Sequence, residues 1–269
     1  MKINVLGCSG GIGSGLRTTA LRVNSSTLLD CGTGVGDLAL DDLFKIKHVF
    51  ITHSHLDHVA GLPLLIDTIY EELIKEPLKV YCQPKTYKVL MEHIFNWKIW
   101  PNFFCLPTND NAVVKFVPME PEQTISIEAN QYTMIEVEHT VPAVGYIVQN
   151  GTSSFAFSGD TASAPKLWSA INQQDKIDLL IVECAFADER SDIANQAKHF
   201  SPQSLAEELS CLTHDPQIYV SHLQPGEEGI KLCASYAKPC LSVLSNQSPV
   251  ARYFLYSLSE PFRIRVSLN

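Results

Sequence analysis

The chain has 269 residues, 45% of them hydrophobic and 18% charged, and a formal net charge of −9 from 20 basic and 29 acidic side chains. That length accommodates one large α/β domain with a sizeable core, and that charge repels polyanions and lacks the electrostatic footprint of a nucleic-acid-binding protein. No apolar run approaches the roughly 20 residues needed to span a bilayer, and the N-terminus reads as a short strand and not a signal peptide, so a cytoplasmic location with no membrane partner is expected.

Strand signals come early, at residues 2–7, 19–23, 26–30 and 48–52. A helical stretch follows over 60–75, then a strand over 78–82 and a helix over 87–96. From 113 to about 157, β-branched and aromatic runs are broken by Asn150-Gly151, a good turn signal. A strand at 178–183, a helix at 201–212 and a strand at 217–221 complete the pattern. Ser201 can cap that helix, with Pro202 as its first residue. No linker, charge block or repeat divides the chain, so 1–269 is read as a single domain. The tail over 238–269 reads as irregular structure ending in a strand at 262–266. Strands in both halves with helices between them predict two β-sheets faced by helices. Eight cysteines carry no CxxC pair and are read as reduced thiols, so a thiolate zinc site is not expected.

Chemistry is concentrated in Thr52-His53-Ser54-His55-Leu56-Asp57-His58, between a buried strand and an apolar helix. On an extended chain residues two apart share a side. His53 and His55 can therefore grip one ion, while Asp57 and His58 on the following turn grip a second. Imidazole nitrogen and carboxylate oxygen suit zinc, with manganese or iron as alternatives. Two ions need further donors, and ligands are best fixed where strands end. His139 and His222 both follow strands, and Asp160 ends the run Ser154-Phe155-Ala156-Phe157-Ser158-Gly159. One ion would take His53, His55, His139 and Asp160, and the other Asp57, His58, His222 and the shared Asp160. His48, His93 and His214 lie at a strand start, within a helix and in a turn, and are read as packed or solvated. Two divalent ions, two carboxylates and one hydroxide leave about +1 at the centre, which favours an anionic substrate; a hydroxide shared by ions about 3.5–4 Å apart is a competent nucleophile.

This donor series, in its order along the chain, resembles the ligand set of the metallo-β-lactamase superfamily, and the likeness runs from Met1 to about Gly226. The resemblance implies a four-layer αββα sandwich with a binuclear metal centre. It also implies that Asp30, within Thr27-Leu28-Leu29-Asp30-Cys31-Gly32, supports the site from behind.

Fold alone does not fix the reaction, since lactams, thioesters, lactones and phosphodiesters are all hydrolysed on it. Glu183 ends an apolar strand, and His199 precedes the helix at Ser201, whose N-terminus attracts anions. The pair resembles the glutamate and histidine of the superfamily's phosphodiesterases, and with Asp57 makes up the expected catalytic set. Ribonuclease Z usually has glycine where this chain has Leu56, and carries a basic tRNA-gripping arm between the counterparts of His139 and Asp160. Only the 20 residues 140–159 separate them here. The stretch His53-x-His55-Leu56-Asp57-His58-Val59-Ala60-Gly61-Leu62 is similar to the signature of the class II 3′,5′-cyclic-nucleotide phosphodiesterases, and residues 94–103 look like another stretch of that family, able to stack on a purine. The expected reaction is hydrolysis of a cyclic nucleotide to its 5′-monophosphate, with a small anionic nucleotide as partner and no nucleic acid; a homodimer is compatible with it. Ribonuclease Z activity and hydrolysis of a non-phosphodiester are the rival readings.

Overall fold

In the computed structural model, residues 1–227 are described in full, together with the backbone of the strands Leu241–Val243 and Ile264–Ser267. The strands are β1 (Lys2–Gly7), β2 (Ala20–Val23), β3 (Thr27–Leu29), β4 (His48–Phe50), β5 (Leu78–Cys82), β6 (Val114–Pro118), β7 (Thr124–Ile127), β8 (Asn130–Val137), β9 (Ala143–Gln149), β10 (Ser154–Phe157), β11 (Leu179–Glu183), β12 (Gln217–Ser221), β13 (Leu241–Val243) and β14 (Ile264–Ser267). They form two seven-stranded sheets, ordered β14-β1-β2-β3-β4-β5-β6 and β13-β12-β11-β10-β9-β8-β7. In the first sheet β3 to β6 run parallel. In the second β10 to β13 do.

Helices cover both outer faces. On the first sheet lie α1 (Leu40–Leu43), α2 (Leu56–Val59), α3 (Gly61–Thr68), α4 (Tyr70–Lys75) and α5 (Pro84–His93), which share a core with Leu28, Val49 and Val80. On the second lie α6 (Pro165–Asn172) and α8 (Pro202–Leu209), whose Trp168 and Leu205 pack on Ala156, Leu180 and Val220, while α7 (Ser191–Ala197) packs through Ala194 on Ala185 and Phe186 beyond β11. A third cluster fills the space between the sheets. The result is the four-layer αββα sandwich.

The inter-sheet layer is held by aromatic packing next to the site. Phe50, fully buried, stacks on Tyr81 at 4.3 Å and on Tyr132 at 4.5 Å, and meets the edge of Tyr146 at 5.5 Å. Truncating such a ring to alanine costs about 3–5 kcal/mol. The Tyr146 hydroxyl donates to the Ile51 carbonyl at 2.9 Å, which satisfies a buried polar group and ties the second sheet to the chain leaving β4.

Several boundaries differ from the sequence expectation. The helix expected over 60–75 is broken at Ile69, whose φ and ψ of −105° and 16° leave the helical region. The helix expected from Tyr87 starts at Pro84, a first-turn proline with no N–H to lose, and ends at His93. The last helix stops at Leu209, and its N-terminus carries the capping box formed by Ser201 and Ser204. The strand expected at 262–266 is found at Ile264–Ser267, antiparallel to β1. The remaining residues of the 238–269 tail lie outside the described residues.

Candidate metal centre

Strand ends converge at one rim of the sandwich. His53 follows β4, His139 follows β8, Asp160 follows β10 and His222 follows β12, while His55 precedes α2 and Asp57 and His58 lie within it. Two groups of donors result: His53, His55, His139 and Asp160 in one, and Asp57, His58, Asp160 and His222 in the other. Within each, the donor atoms lie within 4.8 Å of one another, and Asp160 belongs to both. Its Oδ2 lies 3.1 Å from His222 Nε2, 3.2 Å from His58 Nε2 and 3.7 Å from His53 Nε2.

The backbone is held in uncommon conformations to bring these groups together. His222 has a φ of 64°, a left-handed value few non-glycine residues adopt, and its N–H donates to the Cys8 carbonyl at 2.6 Å. Asp30 has a φ of 58°. Gly159 has a φ of 60°, and a Cβ there would stand 2.7 Å from the Val144 carbonyl oxygen, so glycine is required just before Asp160. The glycine-rich loop after β1 packs against the His222 loop, with Gly10 N–H donating to Leu223 O at 2.9 Å.

Four of the five donor imidazoles are oriented through their far nitrogen. His58 Nδ1 lies 2.7 Å from Asp30 Oδ2, His139 Nδ1 lies 2.9 Å from the Lys198 carbonyl, and His53 Nδ1 lies 2.9 Å from Thr52 Oγ1. His222 Nδ1 is 3.4 Å from Thr19 Oγ1. A carbonyl only accepts, so the Nδ1 of His139 carries hydrogen and its Nε2 presents a lone pair; that Nε2 faces His55 Nδ1 at 3.2 Å. Burial pushes His53 well below the ordinary imidazole value and both His139 and His222 down to about 4, so all three are neutral donors. Burial also opposes charge on Asp160, yet His222, His58 and His53 outweigh it and hold that carboxylate well below its ordinary range.

The donor set fits a metal cation. The Nε2 atom of His53 is buried and has no hydrogen-bond partner, an expensive state for a polar atom unless a ligand completes it, and that of His58 meets the Asp160 carboxylate at 3.2 Å. Neutral imidazoles beside an ionised Asp160 are the states that metal binding requires, whereas His58, raised, against its burial, well above its ordinary value by Asp160 and Asp30, holds a proton that a metal ion would displace. The clusters are compatible with a metal-binding site.

Beside them stands the second expected pair. His199 Nδ1 lies 2.9 Å from Glu183 Oε1, and the His199 ring lies 5.0 Å from His139 and 5.2 Å from His222. Glu183 also accepts from Thr161 N at 2.9 Å and Phe200 N at 3.3 Å. Burial drives the Glu183 carboxyl up, but three donors on its two oxygens leave the shared proton on the imidazole. Burial works against the His199 cation too, and the Glu183 carboxylate overcomes it, raising the imidazole to about 8. Asp57 is partly open, with its side chain 27% exposed, 3.5 Å from His58 Nε2 and 3.7 Å from His222 Nε2.

The remaining expectations divide. His48 bonds the Tyr81 hydroxyl at 3.0 Å, and His93 is exposed at the end of α5, so neither joins the site. In the aromatic stretch over 94–103, Phe95 and Phe103 are buried core residues and Trp100 packs on that core, whereas Trp97 and Ile99 are exposed. The stretch is mainly a cover on the first sheet. Thr19, Thr52 and the Lys198 carbonyl were missed by sequence reasoning; only Thr52, beside the histidine run, carried any signal.

Residues 26–223 match the family model for the beta-lactamase superfamily domain. The chain belongs to the metallo-β-lactamase superfamily. It is 31% identical over 224 residues to a 3′,5′-cyclic-nucleotide phosphodiesterase of Aliivibrio fischeri, a match covering 71% of this chain and 62% of that protein. It is also 31% identical over 154 residues to a ribonuclease Z of Methanococcus maripaludis, covering 55% of this chain and 48% of the relative. The chain thus spans between about half and under two thirds of these two relatives. Among solved structures, the metallo-β-lactamase fold protein YhfI from Bacillus subtilis aligns with a TM-score of 0.71 at 18% identity, over 98% of both chains. Among the described residues no helix is long and apolar enough to cross a membrane.

Proposed function

We propose that this chain is a metal-dependent hydrolase, a phosphodiesterase that opens 3′,5′-cyclic nucleotides to 5′-monophosphates. The observation that carries this reading is Asp160, shared by two donor groups, with the His199–Glu183 pair at their side. His53, His55, His139 and Asp160 would hold one divalent ion, and Asp57, His58, His222 and Asp160 the other. Zinc suits these nitrogen and oxygen donors best, with manganese or iron as substitutes. Such ions would act as Lewis acids on the phosphate oxygens and make water acidic enough to serve as the nucleophile.

The chain's own groups supply the rest. Glu183 fixes His199 through Nδ1, so the proton on Nε2 is the one available for transfer. His199 gives that proton to the departing 3′ oxygen as its bond to phosphorus breaks, then regains one from solvent.

A ribonuclease Z reading shares the same donors, and relatives of both names exist. The cyclic nucleotide is favoured by the net charge of −9 and by the hairpin β9–β10, which occupies the stretch where a tRNA arm would be inserted. Metal-loaded protein incubated with cyclic AMP and, separately, with precursor tRNA distinguishes them. Release of 5′-AMP with tRNA intact is expected; cleavage of the tRNA alone would reverse the choice.

A further inference from the structure

Thr161 follows Asp160 directly and is fully buried. Its hydroxyl oxygen accepts from Glu138 N and Ser163 N, both at 3.2 Å. Its proton goes to the Ser163 carbonyl at 2.7 Å, with the Glu138 carbonyl at 3.1 Å. A hydroxyl offers one donor and two acceptor sites, so all of them are used. These bonds close the bend 160–163 against Glu138, between the end of β8 and His139. Ala162 N also donates to Glu138 O at 3.0 Å, and Glu138 N shares its hydrogen with Ser163 O at 3.2 Å.

The main chain of the same residue serves the other half of the site. Thr161 N–H donates to Glu183 Oε1 at 2.9 Å, and that oxygen is the one facing His199 Nδ1, also at 2.9 Å. One buried residue therefore links the bend after Asp160, the strand end that carries His139 and the carboxylate that holds His199. We propose that Thr161 is a positioning residue: its hydroxyl fixes the bend so that its N–H sets Glu183, and through it His199, against the donor groups. The hydroxyl itself is spent on the main chain and touches no reacting atom. Misplacing a reacting group by about 1 Å can cost about 10²-fold in rate. The proposal rests on the phosphodiesterase reading, because it takes His199 to protonate the leaving oxygen.

Thr161→Val keeps the branched shape and removes the hydroxyl. Zinc-loaded variant and wild type are compared on cyclic AMP, whose 3′ alkoxide needs a proton to leave, and on bis(p-nitrophenyl) phosphate, whose p-nitrophenolate does not. Thr161→Val should lose about 10–10²-fold in kcat on cyclic AMP with KM held, and no more than about threefold on the aryl ester, at wild-type zinc content. Thr161→Ser should restore kcat on cyclic AMP to within about threefold of wild type. Added to His199→Ala, Thr161→Val should cost less than about threefold more, because nothing is left for it to position. Equal losses on the two substrates, loss of zinc, a full further loss beside His199→Ala, a serine variant as poor as valine, or wild-type turnover in Thr161→Val would overturn the assignment. Should Thr161→Val not fold, the same comparison on Thr161→Ala decides by the same outcomes. Wild-type protein without turnover of cyclic AMP sinks the phosphodiesterase reading and the assignment with it; wild-type turnover with no split between substrates in the variant sinks the assignment alone.

Discussion

His58 Nδ1 and Asp30 Oδ2 meet at 2.7 Å, and neither side chain reaches solvent. Asp30 also accepts from Thr52 N at 2.8 Å and from the Thr52 hydroxyl at 2.8 Å. The carboxylate therefore fixes the His58 tautomer and, through Thr52, the ring of His53 as well. One acid behind the site orients a donor in each group. Removing it as Asp30→Ala should lower metal affinity about 10–100-fold, the usual cost of losing such a partner. Competition with a chromophoric zinc chelator measures this, and wild-type affinity in the variant would show that Asp30 does not orient the donors.

The His199–Glu183 pair sets a pH window. His199 is raised from an ordinary 6.5 to about 8. The stability His199 gains from its partner is thus present below about pH 6.5 and lost as pH rises through about 8, while Glu183, raised by burial to about 7, bounds the fully charged pair on the acid side. Proton donation by His199 follows the same course, so turnover should fall above about pH 8. In Glu183→Gln the alkaline limb should move down towards 6.5. A pH–rate profile with the limb unmoved would separate Glu183 from the proton donor.

His199→Ala should retain its metal and fold but lose about 10²–10⁴ in kcat on phosphodiesters, the range for general acid catalysis. Metal content and steady-state kinetics on bis(p-nitrophenyl) phosphate and cyclic AMP check both halves. A poor leaving group should suffer more than p-nitrophenolate, which departs without help.

Gly159→Ala should destabilise the fold by about 1–3 kcal/mol, because the residue sits at a φ of 60° with no room for a Cβ. Thermal unfolding of the metal-free protein reads this. A melting temperature equal to that of wild type would mean that the turn before Asp160 relaxes without cost.

Much of this was legible before any coordinates. The strands Leu78–Cys82 and Gln217–Ser221 lie where their β-branched and aromatic runs end in turn signals. The donors could be singled out because each stands at a strand end or in one dense motif, and the structure brings all seven together. The groups that orient them were harder to see. The Lys198 carbonyl that fixes His139 belongs to a residue with a φ of 55°, and main-chain acceptors leave no mark in residue identity. The stretch 94–103, whose likeness to the phosphodiesterases and aromatic content suggested a surface for a purine, spends Phe95 and Phe103 on the core and leaves Trp97 and Ile99 exposed.

The central claim is that Asp160 serves two metal ions at once, and the metal content of Asp160→Ala beside wild type tests it most directly. Wild-type protein dialysed against zinc should retain two equivalents per chain, and the variant should lose both together with cyclic AMP turnover. A variant that keeps its full complement of metal would contradict the account.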